Sequence, residues 1–200
     1  MDDRIDTILS FWFGSLDALG RASPEQRKRW WTKSDEFDQT IKSAFRADYD
    51  AIVMGQREMW RSSPRGALAY IIVLDQFSRN MFRRAPRMFA ADARAREACQ
   101  EGLLERDDAE LAFDERVFFY LPLMHSEDIS NQRQCVGLFQ AMVEQAPEVL
   151  KGDAEYYLDF AERHRAIVER FGRFPHRNET LGRASTADEA AFLKEPGSSF

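Results

Sequence analysis

The three histidines are the side chains of this sequence best suited to proton transfer, because imidazole titrates close to neutral pH. His125 stands just before Glu127 and Asp128, at the predicted start of a helix. An imidazole beside carboxylates suits acid/base catalysis or the binding of a metal ion. The simpler alternative is that the two acids only complement the positive end of the helix dipole. His164 lies in the middle of a predicted helix, where a packed or surface histidine is the commoner case.

His176 belongs to a long connection between two predicted helices, residues 172–185, which has no apolar periodicity. Connections between packed helices usually have about two to eight residues, and longer ordered loops are often functional. The segment contains three arginines and one acid in a chain that is acidic overall. Its arginines are Arg173, Arg177 and Arg183. A strap that covers the core is the alternative interpretation.

A second basic segment covers residues 75–87 and contains no acid after Asp75. Asp75, Arg79 and Arg83 follow one another at intervals of four residues, so a helix would place them on one face. One hypothesis is an internal ion pair between Asp75 and Arg79. The other is that Arg79 and Arg83 join the loop arginines and bind a carboxylate or phosphate through bidentate hydrogen bonds.

Composition limits the class of protein to which these residues belong. The chain has 200 residues, 44% of them hydrophobic, which predicts one globular domain over residues 1–195 with a frayed tail at 196–200. A net charge of −6 argues against a surface that binds nucleic acid throughout. The two cysteines cannot form a disulfide framework, which favours the cytoplasm. No apolar run approaches the roughly 20 residues of a membrane helix, so no membrane partner is expected.

Helix-capping residues and apolar periodicity predict helices throughout the chain, and no alternating strand pattern competes with them. The predicted helices begin near Asp6, Pro24, Ser34, Ser63, Pro86, Phe113, Ser126, Gly152 and Thr186. Thr186 and Glu189 fit a capping box, in which each side chain accepts from the backbone N–H of the other. The expected fold is all-α, with neighbouring helices in antiparallel pairs.

Several segments together resemble a known family, the bacterial domain of unknown function numbered nine hundred and twenty-four. These segments are residues 11–14, 74–83, 121–128, 171–178 and 181–186. The resemblance spans residues 5–193 and implies a compact helical domain of the tetratricopeptide-like superfamily, but no activity. The family's signature maps onto Asp75, Gln76, Arg79, Asn80, His125, Glu127, Arg173, His176, Arg177 and Asn178. One departure is Ser78, where the family commonly has proline. Since proline would bend or stop the helix, Ser78 lets it continue.

The predicted function is the binding of a small anionic ligand in a polar pocket, with hydrolytic or acid/base chemistry at His125, Glu127 and His176. The candidate ligand-binding residues are Asp75, Gln76, Arg79, Asn80, Arg83, Asp128, Arg173, Arg177 and Asn178. The sequence assigns no reaction, cofactor or metal. The alternative is a non-enzymatic module that holds a peptide or protein partner in a groove between helix pairs.

Overall fold

The computed structural model describes residues 3–198, which divide into two compact units. Unit 1 comprises residues 3–83 and 87–122, and unit 2 comprises residues 84–86 and 123–198. Every regular element of the described residues is helical, so the all-α prediction is confirmed. The sequence carries no sign of the division, because the boundary at residue 122 falls inside a helix rather than in a Pro- or Gly-rich linker.

Unit 1 contains six helices and most of a seventh. They are α1 Asp3–Phe13, α2 Pro24–Trp31, α3 Asp35–Val53, α4 Pro64–Ile71, α5 Ser78–Met81, α6 Asp92–Glu105 and α7 Phe113–Met124. The predicted caps are present: Ser34 accepts from the N–H of Phe37, and Ser63 accepts from the N–H of Gly66. The helix expected to begin at Pro86 is wrong at its start. Pro86–Phe89 is a single 3₁₀ turn, and α6 begins only at Asp92.

A π-helical segment, Ile72–Phe77, joins α4 to α5 without a break in the helix. All six of its residues are buried, including Asp75 and Gln76. The helix continues through Ser78 to Met81, as the absence of proline at residue 78 predicted. Apolar periodicity did not predict the π-helical segment, because four of its six residues are apolar and therefore mark no single face of the helix.

Aromatic side chains fill the core of unit 1. The Trp12 ring lies 5.6 Å from the Phe77 ring and 5.4 Å from the Phe118 ring, both in edge-to-face geometry. Trp12, Phe77 and Phe118 are all nearly inaccessible to solvent. Trp31, by contrast, is 52% exposed, as expected for one member of an adjacent pair of tryptophans.

Unit 2 is built on a pair of helices, α8 Ile129–Gln145 and α9 Glu148–Phe171, followed by the short helix α10 Ala187–Phe192. Two residues separate α8 from α9, and the pair is antiparallel. Arg133 near the start of α8 lies 3.7 Å from Glu169 near the end of α9, whereas Phe139 contacts Tyr157.

Two predicted starts in unit 2 are wrong. α9 begins at Glu148, directly after Pro147, and Gly152 lies inside the helix. The N-cap of α8 is Asp128, whose carboxylate accepts from the N–H of Ser130 at 2.7 Å. Ser126, the expected cap, accepts instead from the N–H of Asp128. The sequence has three polar residues in succession here, Ser126, Glu127 and Asp128, and the third is the N-cap.

The two ends of the α9–α10 loop, residues 172–186, agree with the prediction. Gly172 ends α9 with a φ of 68°, a left-handed conformation that suits glycine. Thr186 and Glu189 form the complete capping box of α10. The predicted tail is described as far as Ser198, which is buried and donates to the carbonyl of Leu193. Ser199 and Phe200 lie outside the described residues.

Two glycines inside helices should respond in opposite ways to alanine. A Cβ at residue 102 would lie 2.6 Å from Cζ of the fully buried Phe119, whereas a Cβ at Gly152 meets no atom within 4 Å. We expect Gly102→Ala to lower the free energy of unfolding by about 1–3 kcal/mol, because the core must shift. Gly152→Ala should raise it by up to about 1 kcal/mol through helix propensity. Urea denaturation followed by circular dichroism measures both, and equal effects would contradict the packing argument.

Candidate functional site

The first group of predicted site residues lies in unit 1 around Arg79. Its guanidinium donates to both carboxylate oxygens of Asp92, at 2.9 and 3.1 Å, and lies 3.4 Å from the carboxylate of Asp75. Asp75 is fully buried and accepts a 2.6 Å hydrogen bond from Gln76. The internal ion pair considered from the sequence is therefore present, and Asp92 extends it to the next helix.

The end of α5 and the turn that follows it carry a second ion pair in unit 1. Arg83 donates to both oxygens of Asp38 on α3, and Asn80 donates to the same carboxylate at 2.7 Å. Burial raises the pKa of Asp38, but the hydrogen bonds from Arg83 and Asn80 outweigh that effect and lower it overall. Asp38 is thus held in its charged form, and these three residues connect α3 to α5.

In unit 2, Glu127 anchors the α9–α10 loop. One carboxylate oxygen accepts from the N–H of Phe174 at 2.8 Å, and Arg183 donates to both oxygens at 2.7 and 2.9 Å. Burial alone would raise the pKa of Glu127, but these hydrogen bonds outweigh it and lower the pKa. One side chain therefore fixes two distant points of the loop.

A second carboxylate, Glu189, secures the loop at its far end. Arg173 donates to both of its oxygens, at 2.6 and 2.8 Å, and Asn178 donates to one of them. Together with the capping box at Thr186, the Arg173 guanidinium lowers the pKa of Glu189 to about 2. Arg173 and Asn178, both predicted to bind ligand, thus hold the loop closed on α10.

All three histidines of the protein lie near one another in unit 2: His164 and His176 lie beside the buried ring of Phe174, and His125 lies beside His164. The ring centre of His164 lies 6.4 Å from that of His125 and 5.6 Å from that of Phe174. The His176 ring lies 5.5 Å from Phe174 on the loop. His125 and His176 are half-buried, whereas His164 is only 4% exposed. We call His125, His164 and His176 the histidine cluster.

Arg177 completes this arrangement. Its guanidinium lies over the Phe174 ring, 4.7 Å from the ring centre, and donates to the carbonyl oxygen of His125 at 2.9 Å. Gln132 fixes the turn that carries His125, because its amide donates to the carbonyls of Met124 and Ser126, each at 2.6 Å. The histidine cluster therefore lies beside the cation of Arg177, and hydrogen bonds from Gln132 fix the turn that carries His125.

Sequence reasoning missed several partners of these residues. Asp38, Asp92, Glu189 and Gln132 were not predicted as site residues, and His164 was assigned no role. Only Glu189 carried a signal, its place in the capping box; the others lie far along the chain or in ordinary helical positions. Asp128, predicted to bind ligand, serves as the N-cap of α8.

A depression in the protein surface is lined by residues other than the predicted ones. An open depression of about 580 Å³ on α3 is lined by Glu36, Gln39, Thr40, Ser43 and Ala44, none of which was predicted. Within residues 3–198, no three His, Cys, Asp or Glu side chains are grouped so as to hold a metal ion. In the same residues, no helix is both long and apolar enough to cross a membrane.

The fold defines an all-α protein in which arginine–carboxylate ion pairs connect helices and loops. The model of a family of bacterial proteins of unknown function, DUF924, matches residues 8–197. The chain belongs to this family. It is also similar to the solved structure of a protein of unknown function from Agrobacterium tumefaciens, at 35% identity and a TM-score of 0.82. That match covers 96% of this chain and 97% of the other. No curated protein matches the chain. The tetratricopeptide-like grouping stays a prediction.

Glu127 should contribute substantially to the stability of unit 2. We expect Glu127→Ala to lower the free energy of unfolding by about 2–3 kcal/mol, because Arg183 and the Phe174 N–H lose their acceptor. Since its pKa is lowered on folding, this stabilisation is complete above the ordinary pKa of 4.5 and disappears as the pH falls through the lowered value. Urea denaturation at pH 7.5 and at successively lower pH measures both effects.

Glu179 provides the matched control, because it lies in the same loop but is exposed. Glu179→Ala should change the free energy of unfolding by less than about 0.5 kcal/mol. In a double-mutant cycle, Arg183→Ala should cost little more once Glu127 is already alanine. Additive effects of the two substitutions would show that the ion pair does not hold the loop.

Proposed function

We propose that this protein binds a small anionic ligand, a carboxylate or phosphate compound, through Arg177 and the two half-buried histidines, His125 and His176. The observation that carries the proposal is that Arg177 and the three histidines lie near one another: Arg177, His164 and His176 contact Phe174, and His125 lies beside His164. These residues come from three separate segments of the chain. Their common feature is the capacity to donate hydrogen bonds to an anion.

The chemistry of the donors supports this choice. A guanidinium offers a planar fork that matches carboxylate and phosphate oxygens, and each imidazole adds a donor whose charge varies with pH. The proposed site does not include Arg79, Arg83, Arg173 or Arg183. Each of these donates to a carboxylate of its own unit: Asp92, Asp38, Glu189 and Glu127, respectively.

If the ligand reacts, His125 or His176 acts as the acid or base. Glu127 was a candidate for the same role, but its hydrogen bonds to Arg183 and the Phe174 N–H favour its ionised form near neutral pH. In this proposal Glu127 instead holds the loop in place and so positions Arg177 and His176. We take the protein to be cytoplasmic, in line with its pair of buried cysteines.

Thermal denaturation with phosphate, nucleotides and small dicarboxylates tests the proposal. A ligand present at a hundred times its dissociation constant should add about 2.7 kcal/mol, or about 5–10 °C in Tm for a chain of this size. The rise should saturate and should be lost in Arg177→Ala. Arg177→Lys should bind more weakly than the wild type, because it keeps the charge but loses the fork.

Histidine NMR gives a second readout that does not depend on stability. Three histidines give three Cε1–H resonances, which single His→Gln variants assign. Phosphate or dicarboxylate should shift the resonances of His125 and His176 along a saturable curve. Arg79→Ala is the control variant: it should lower stability through Asp75 and Asp92 yet leave these shifts unchanged. A flat response to every anion would contradict the proposal and favour the non-enzymatic interaction module.

A further inference from the structure

The histidine cluster is a concentration of titratable groups at the point where the α9–α10 loop is fixed to unit 2. Phe174 is fully buried and packs with Ile167 and Val168 of α9. Its ring also contacts His164 and His176. Any change in the charge of these imidazoles therefore acts directly on the apolar contact that holds the loop.

His164 is built into the fold as a neutral side chain. Its Nδ1 lies 2.7 Å from the carbonyl oxygen of Phe160, one turn earlier in α9, so Nδ1 carries the hydrogen and donates it. A second proton would have to bind the other ring nitrogen, Nε2, of a side chain that is buried in unit 2. Charging a buried imidazole costs free energy unless an acid compensates it.

The charged and titratable groups around His164 disfavour its protonation. His125 from the α7–α8 turn and His176 and Arg177 from the loop all disfavour a positive charge there. α8, which packs along α9, contributes Arg133, which pairs with Glu169 and is well exposed.

The two acids that hold the α9–α10 loop are engaged by arginines. Glu127 binds Arg183, and Glu189 binds Arg173. Both of these carboxyl groups have lowered pKa values, so they stay ionised when histidine begins to take up protons. Between pH 7.5 and about pH 5 these two carboxylates therefore keep their charge, so a change in loop stability over this range does not come from their titration.

We propose that unit 2 contains an acid-responsive switch, in which proton uptake by the histidine cluster expels Phe174 from its packing and opens the α9–α10 loop. Unit 1 holds no histidine and keeps its structure over the same pH range. This inference goes beyond the proposed ligand site and needs no ligand, since it depends only on the packing of the imidazoles.

The direction of the effect follows from the protonation of the two states. Burial, with the neighbouring positive charges, lowers the pKa of His164 to about 3, against an ordinary value of 6.5. The open state therefore binds more protons between these two values. The closed state has its full stability above about pH 6.5 and loses stability as the pH falls below it.

Hydrogen exchange measured by mass spectrometry tests the switch in the full chain. After correction for the intrinsic rate, the protection of amides in residues 172–186 should fall about tenfold for each pH unit below about 6.5, if opening takes up one proton. Tryptophan fluorescence should stay unchanged from pH 7.5 to pH 5. All four tryptophans, Trp12, Trp30, Trp31 and Trp60, lie in unit 1, so this signal reports on unit 1 alone.

His164→Phe is the decisive variant, because it keeps a ring against Phe174 and removes the titration. Its loop should keep the same protection at pH 5 and pH 7.5. His164→Gln serves as the second variant if the phenylalanine disturbs folding, and it should also remove the pH dependence. Loop protection that does not vary with pH in the wild type would overturn the proposal. So would an equal loss in the variants, or a simultaneous change in tryptophan fluorescence.

Discussion

The hydrogen bonds of Glu127 are the constraint on which the polar part of unit 2 depends. A single carboxylate at the α7–α8 turn binds the backbone of Phe174 and the guanidinium of Arg183. These two contacts bring the loop to the turn that carries His125, and so create the neighbourhood of His176 and Arg177. Without them, a loop of this length would have many conformations, and the entropy of closing it would oppose any fixed arrangement of its side chains.

Ion pairs between helices are a common device of this protein, and they give the family's signature residues a structural meaning. Arg79 with Asp92 and Arg83 with Asp38 each join two helices of unit 1. These pairs are largely shielded from solvent, where losing one partner costs much more than losing an exposed surface pair. Arg79 and Arg83, which were predicted from the sequence to bind a ligand, therefore hold parts of unit 1 together.

The helices and their ends were largely predictable from the sequence because they depend on local chemistry. Ser34, Ser63 and the Thr186–Glu189 capping box marked their helix starts correctly, and Gly172 marked the end of α9. The starts near residues 86 and 152 were wrong, since a proline or a glycine gives only a weak indication of where a helix begins. The start near residue 126 was wrong because Asp128, two residues later, serves as the N-cap. The partners of the site arginines were not predictable. Asp38 and Arg83 are 45 residues apart, and only the packing of α3 against α5 brings them together.

The π-helical segment Ile72–Phe77 sets the angular position of everything that follows it in the same helix. An i→i+5 turn accommodates one residue more than an α-helical turn, and one residue corresponds to a rotation of about 100° around the helix axis. The side chains of Arg79 and Asn80 therefore point in directions that an uninterrupted α-helix would not give them. The wide turn thus sets the directions in which Arg79 reaches Asp92 of α6 and Asn80 reaches Asp38 of α3.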